Sequence, residues 1–256
     1  MRKLLKNSVF RILIILAGDL CLFVFLFTYI IPNKLTHPLT ILLTILLFVA
    51  FAFIFTMTMV CELCYDEASK NLVAKADLEQ AYIWIKRMRK WDLFHWYNSQ
   101  YYVFMTIYYR DYQDYKGLAE LLKHKVFDEN DSTRLVADYH HFLLAIENRQ
   151  SGEVKEYFAR IQRTYEQNRN KKGAKIALVY SFAQIQAEKA YYENDCKGAL
   201  HYLSKVPLDR LNHREQGHYY FLKYLVCLKN RNLKQAQNAL AKAKEQYPNA
   251  LFLKNA

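Results

Sequence analysis

The sequence predicts an all-α protein in two parts: a transmembrane helical hairpin, then a region of helical repeats. Three observations carry that reading. The first sixty residues hold two long apolar runs around a short polar turn. Beyond them, apolar residues recur at three and four, without strand-like alternation or an Asn-Gly or Asp-Gly turn. Five short segments in that region resemble one another at nearly regular spacing.

The first apolar run, residues 12–31, contains one charge, Asp19, and the second, residues 39–61, contains none. A helix needs about 20 apolar residues to cross a hydrocarbon core of ~30 Å, and each run supplies that. Pro32 and Pro38 bracket the turn, stopping one helix and starting the next. A cleaved signal peptide followed by one anchor fits less well. The first run exceeds a usual signal core, and no small-x-small cleavage site ends it.

Orientation follows the flanking bases. Arg2, Lys3, Lys6 and Arg11 precede the first span, and the turn offers only Lys34. Lys86, Arg87, Arg89 and Lys90 follow the second. The expected topology is multi-pass in the cell membrane, with the N-terminus and residues 62–256 cytoplasmic. Domain boundaries fall at 1–61 and 62–256.

The chain carries +12 overall, of which residues 1–61 supply +4, leaving +8 for the rest. Such an excess suits anionic lipid or an acidic protein. Nucleic acid is not expected, because the bases are interspersed with acids. They cluster at 86–90 and at 169–175. Cys61 and Cys64 form a lone Cys-x-x-Cys without the further ligands of a zinc site, and read as two reduced thiols on a helix.

The repeated segments have Ala81, Leu118, Val154, Ala199 and Ala236 at equivalent positions, separated by 37, 36, 45 and 37 residues. The long gap holds the basic insert 169–175. The chain here resembles the tetratricopeptide repeat family. Ser69, Thr106 and Ala187 stand twelve residues before Ala81, Leu118 and Ala199, as that family's paired small positions do. Phe142 and Tyr224 depart from the pattern. Tyr65, Tyr102 and Tyr220 fill the aromatic position four residues earlier. The last unit fits best, with Ala236, Leu240, Ala243 and Pro248. The family's Trp and its Leu-Gly pair are missing. The resemblance spans residues 62–250 and implies an α–α solenoid of about four to five helix pairs, a curved rod with a concave binding face. A looser helical-hairpin solenoid is the alternative. Gly117 and Gly198 are placed in the turns before second helices. The second membrane helix is expected to run into the first repeat helix.

No phosphate-cradling loop, Gly-x-Ser-x-Gly or His-Glu-x-x-His appears, so no enzyme and no cofactor is expected. His140 and His141, with Asp138 nearby, read as surface or groove residues. Three features are candidates for function. Asp19 is costly within a span unless paired or near the interface. It is read either as a helix–helix or partner contact or as a tolerated interfacial acid. The stretch 84–96 contains all three tryptophans, Trp84, Trp91 and Trp96, among Lys86, Arg87, Arg89 and Lys90. It suits membrane lipid or a partner, with core packing expected for at least two of the three tryptophans. The 21 tyrosines suit either the repeat core or a peptide-binding groove. The resulting expectation is a membrane-anchored adaptor whose repeats bind a protein or peptide. An accessory subunit of a transporter or other membrane complex, and a peptide-sensing regulator, are the alternatives.

Overall fold

The computed structural model describes residues 38–170 and 180–254, together with Gly18, Val24 and Thr28. Asp19, most of the first apolar run and residues 171–175 of the basic insert lie outside the described residues. Ten α-helices and no strand occur among the described residues, which form two compact units.

The first unit contains the described residues up to Ala68 and Ile83–Tyr97. Its main helix is α1, Pro38–Lys70, which runs through position 61 without a break. One segment among the described residues, Ile45–Lys75, is long and apolar enough to cross a membrane. The N-terminal part of α1 exposes Leu42, Leu43, Leu46, Leu47, Val49, Phe51 and Phe53. Further along, Met57, Cys61, Cys64 and Ala68 are buried at spacings of four, three and four, which mark one helix face. That face meets α2, Leu78–Trp91, where the Cys61 thiol points at the Met88 carbonyl at 3.8 Å. Ile85 and Met88 of α2 are buried. At Gly18 an added Cβ would stand 3.5 Å from the Phe55 ring.

The second unit contains Ser69–Tyr82 and the described residues from Asn98 onward. Four helical hairpins build it. They are α3 (Asn98–Asp111) with α4 (Tyr115–Leu121), α5 (Asp131–Glu147) with α6 (Ser151–Asn170), α7 (Phe182–Tyr192) with α8 (Cys196–Leu203), and α9 (His213–Lys229) with α10 (Leu233–Gln246).

One turn chemistry closes all four. Gln113, Arg149, Asn194 and Arg231 adopt left-handed backbone, with φ of 60°, 57°, 66° and 57°. Each donates its N–H three residues back, to Arg110, Ile146, Tyr191 and Leu228. The next residue donates five back, to Tyr109, Ala145, Ala190 and Cys227. This pair of bonds satisfies carbonyls at the end of a helix that would otherwise lack partners. The second helix then starts at once. Asp114, Asp195 and Asn232 cap it by accepting the N–H of Gly117, Gly198 and Gln235. Ala76 (φ 54°) and Asp77, which accepts from Gln80, repeat the left-handed position and the cap at the start of α2, but there both N–H groups donate to the Asn71 carbonyl in place of the paired bonds. The left-handed positions therefore repeat at the intervals of the sequence anchors.

Ala81, Leu118, Val154, Ala187, Ala199, Ala236 and Ala243 are all buried. Leucines, valines and aromatics of successive hairpins close around them, as where Ala187, Ala199 and Leu203 meet Leu222 and Val226. Gly117 and Gly198 lie inside α4 and α8, not in the turns where the sequence places them. A Cβ on Gly117 would stand 2.5 Å from a carboxylate oxygen of Asp114. The missing side chain lets the Asp114 carboxylate sit this close, whereas the Asn232 cap closes over Gln235 at 3.2 Å.

Contacts within the second unit are not confined to neighbouring hairpins. Asp111, the last residue of α3, bonds directly to Arg214 and His218 of α9, so the first hairpin is tied to the fourth.

Candidate functional site

The segment carrying the tryptophans divides by helical geometry. On α2, Ala81, Ile85, Met88 and then Asp92 are buried at spacings of four, three and four. Lys86, Arg87 and Lys90 are exposed on other faces, and Arg89 pairs with Asp92 at 3.9 Å. Trp84 is half-buried with the Arg87 guanidinium 4.7 Å above its ring. The helix ends at Trp91, and the chain turns through His95 at φ 59°. The buried Asp92 carboxylate fixes this turn by accepting the N–H groups of Trp96 (2.9 Å) and Tyr97 (3.0 Å). With the polar group inward, the apolar ones face out. Trp91, Leu93, Phe94 and Trp96 are 46%, 58%, 51% and 56% exposed. The core position expected for two of the three tryptophans is thus overturned. Trp91 ends the helix, and Trp96 lies in the loop capped by Asp92, stacked on Phe94.

The second constellation lies where first helices of the hairpins converge in the second unit. Asp111 receives four donors. Arg214 supplies Nε at 2.5 Å and Nη2 at 2.6 Å, His218 supplies Nε2 at 3.0 Å and Tyr247 its hydroxyl at 3.0 Å. Beside it, Arg110 donates to the Tyr139 hydroxyl at 3.0 Å. That hydroxyl donates to Glu188 at 3.0 Å, and Arg110 approaches Glu188 at 3.5 Å. Two guanidiniums thus face two carboxylates in a low-dielectric site.

Burial alone would raise the Asp111 carboxyl, but Arg214 and His218 hold it well below the usual carboxylate range. Burial pushes Glu188 up against the pull of Arg110. Burial, helped by Arg110 and Arg214, lowers His218 to about 4 despite the Asp111 carboxylate. His218 is therefore a neutral donor near pH 7. A cavity of ≈ 20 Å³ remains between Arg110, Tyr139, Tyr180, Gln184, Arg214 and His218. It has the volume and polar lining for one water. Every charge here has a protein partner, which makes the cluster a clamp between helices.

Compared with protein-family models, curated proteins and solved structures, the chain matches none.

The other candidates are placed apart. His140 is fully buried, not in a groove or on the surface. Its Nε2 lies 3.1 Å from the Tyr180 hydroxyl, and its Nδ1 has no hydrogen-bond partner. Burial, then Arg110 and Arg214, push it well below the ordinary imidazole range. His141 stacks on Tyr157 with centroids 4.9 Å apart, and Asp138 pairs with Arg160 at 3.2 Å. No group of His, Cys, Asp or Glu among the described residues could hold a metal. Tyrosines serve the interior in part: Tyr139 and Tyr247 are fully buried, while Tyr112 is exposed.

The buried network carries no sequence signal, since Asp111 and Arg214 stand 103 residues apart. An open groove of ≈ 540 Å³ lies in the same unit, lined by Lys75, Asp77, Glu79, Tyr112, Asn249 and Lys254.

Proposed function

We propose that the chain is a membrane-anchored adaptor. A two-helix hairpin holds it in the bilayer, and tetratricopeptide-like hairpins on the cytoplasmic side bind a protein or peptide. The observation that carries this reading is α1. It exposes its apolar side chains over its N-terminal half, then continues unbroken into a stretch that buries Met57, Cys61, Cys64 and Ala68. Lipid is the solvent suited to the exposed half. The approach of Gly18 to Phe55 supports a second helix packed against the first.

The partner binds in the groove edged by Lys75 and Lys254 on one side of the charge balance and Asp77 and Glu79 on the other. The meeting point of the first helices is filled by its own ion pairs and has no room for a peptide. A groove carrying both signs beside Tyr112 suits an extended polar segment of mixed charge.

The test is purification of the full chain in mild detergent, with identification of what co-purifies. A partner retained by the natural chain and lost from Lys75→Glu/Lys254→Glu is the expected result. A partner that survives this change but is lost when residues 12–31 are replaced by polyleucine indicates an accessory subunit bound through its spans. Absence of any co-purifying protein overturns the adaptor.

A further inference from the structure

We propose that residues 91–96 are an interfacial anchor, seating Trp91, Leu93, Phe94 and Trp96 in the headgroup layer of an anionic phospholipid bilayer. The proposal rests on α1 lying in that bilayer, and it adds a second point of membrane contact on the cytoplasmic side.

Three observations within the first unit converge on it. The first is the loop's construction. Asp92 is turned inward and holds the N–H groups of Trp96 and Tyr97. Four large apolar side chains are thereby presented outward from six residues, with Phe94 and Trp96 stacked at 5.1 Å. A water-facing loop gains nothing from such side chains, and contiguous apolar surface of this kind marks an interaction site.

The second is depth. The Tyr97 hydroxyl donates to the Thr58 carbonyl of α1 at 3.3 Å. Along α1 the exposed apolar side chains end at Phe53, and the helix begins to bury itself at Met57. Thr58 is five residues past Phe53, about 7 Å along a helix axis at 1.5 Å per residue. The loop is therefore tied to α1 just beyond its lipid-like surface, where hydrocarbon gives way to headgroups. Tryptophan and tyrosine concentrate in that layer because their rings are apolar at one edge and hydrogen-bonding at the other.

The third is charge. Lys86, Arg87 and Lys90 are exposed on the helix that leads into the loop. Anionic headgroups attract such bases, whereas an acidic protein would have to cover the aromatics and the bases together.

The chain has three tryptophans, two of them in this segment and the third at position 84, so its intrinsic fluorescence reads the proposal once Trp84 is replaced. The full chain carrying Trp84→Phe retains only the two loop tryptophans and is placed in phosphatidylcholine–phosphatidylglycerol nanodiscs. Lipids brominated near the top of the acyl chains should remove most of the emission, while aqueous iodide removes little. Adding Leu93→Asp/Phe94→Asp should abolish the bromolipid quenching with the helical circular dichroism unchanged. Quenching by iodide and not by bromolipid overturns the proposal. Protection from both quenchers also overturns it, because a second copy or another protein then covers the loop. A chain that does not enter the discs at all defeats the anchor reading and this one together. Entry with a water-exposed loop defeats this one alone.

Discussion

Both oxygens of Asp111 are fully used: one accepts from Arg214 and His218, the other from Arg214 and Tyr247. Asp111→Asn replaces one of those acceptors with a donor facing donors and strands the Arg214 charge in the interior. A loss of ~3–5 kcal/mol is expected, measured by urea unfolding of the chain in detergent. His218 gives the site a pH dependence. Its folded value of about 4 lies below the ordinary 6.5, so the unfolded chain takes up the proton first as pH falls. Stability is complete above pH 6.5 and declines towards pH 4, by roughly 3 kcal/mol for a shift of this size. The depressed Asp111 adds a further loss only below its unfolded value, about 3.9. His218→Gln keeps a donor for Asp111 and removes the titration. Its melting temperature should fall less than that of the natural chain between pH 7 and pH 5; an equal fall assigns the acid sensitivity elsewhere. None of these residues is legible in the sequence. Composition and periodicity report which side chains prefer burial, and a buried ion pair is the exception to that preference.

At the scale of helices and turns the sequence is far more informative. The anchors at 81, 118, 154, 199 and 236 all lie on buried faces of second helices, because one turn of fixed geometry sets the register of each. Ala199→Trp should overpack the contact of α7 with α8 and lower stability by ~1–3 kcal/mol; an unchanged melting temperature means the site has space. Left-handed backbone strains a residue with a Cβ, while glycine adopts it freely but loses more entropy on folding. Arg231→Gly should therefore stabilise by at most about 1 kcal/mol, and Arg231→Val should destabilise. The sequence misplaced Gly117 and Gly198 by one element. A glycine before a helix and one in its first turn look alike in a sequence, and only the closed Asp cap distinguishes them. The tryptophan loop was misjudged for a similar reason. Three tryptophans in thirteen residues read as core by burial preference, and the inward turn of Asp92 reverses this.

For the whole chain, the flanking bases predict a topology with both termini inside. In intact cells, a cysteine introduced at Asn33 should react with an impermeant maleimide and one introduced at Lys172 should not. Labelling at Lys172 from outside reverses the orientation. A helix long and apolar enough to span was legible because hydropathy needs no tertiary context. The bond between the first hairpin and the fourth was not, because repeats in sequence describe neighbours only.

That bond bears on how such a chain can change over time. Open arrays grow and shrink by duplicating or deleting a unit, since each copy meets only the next. Here Asp111 must find Arg214 across the intervening hairpins. An added or missing pair would shift that partner out of reach and leave two unpaired charges in the interior. The span between the first hairpin and the fourth is thereby constrained to two intervening hairpins, and the extra length of the 45-residue interval falls in the connection between them, around the basic insert.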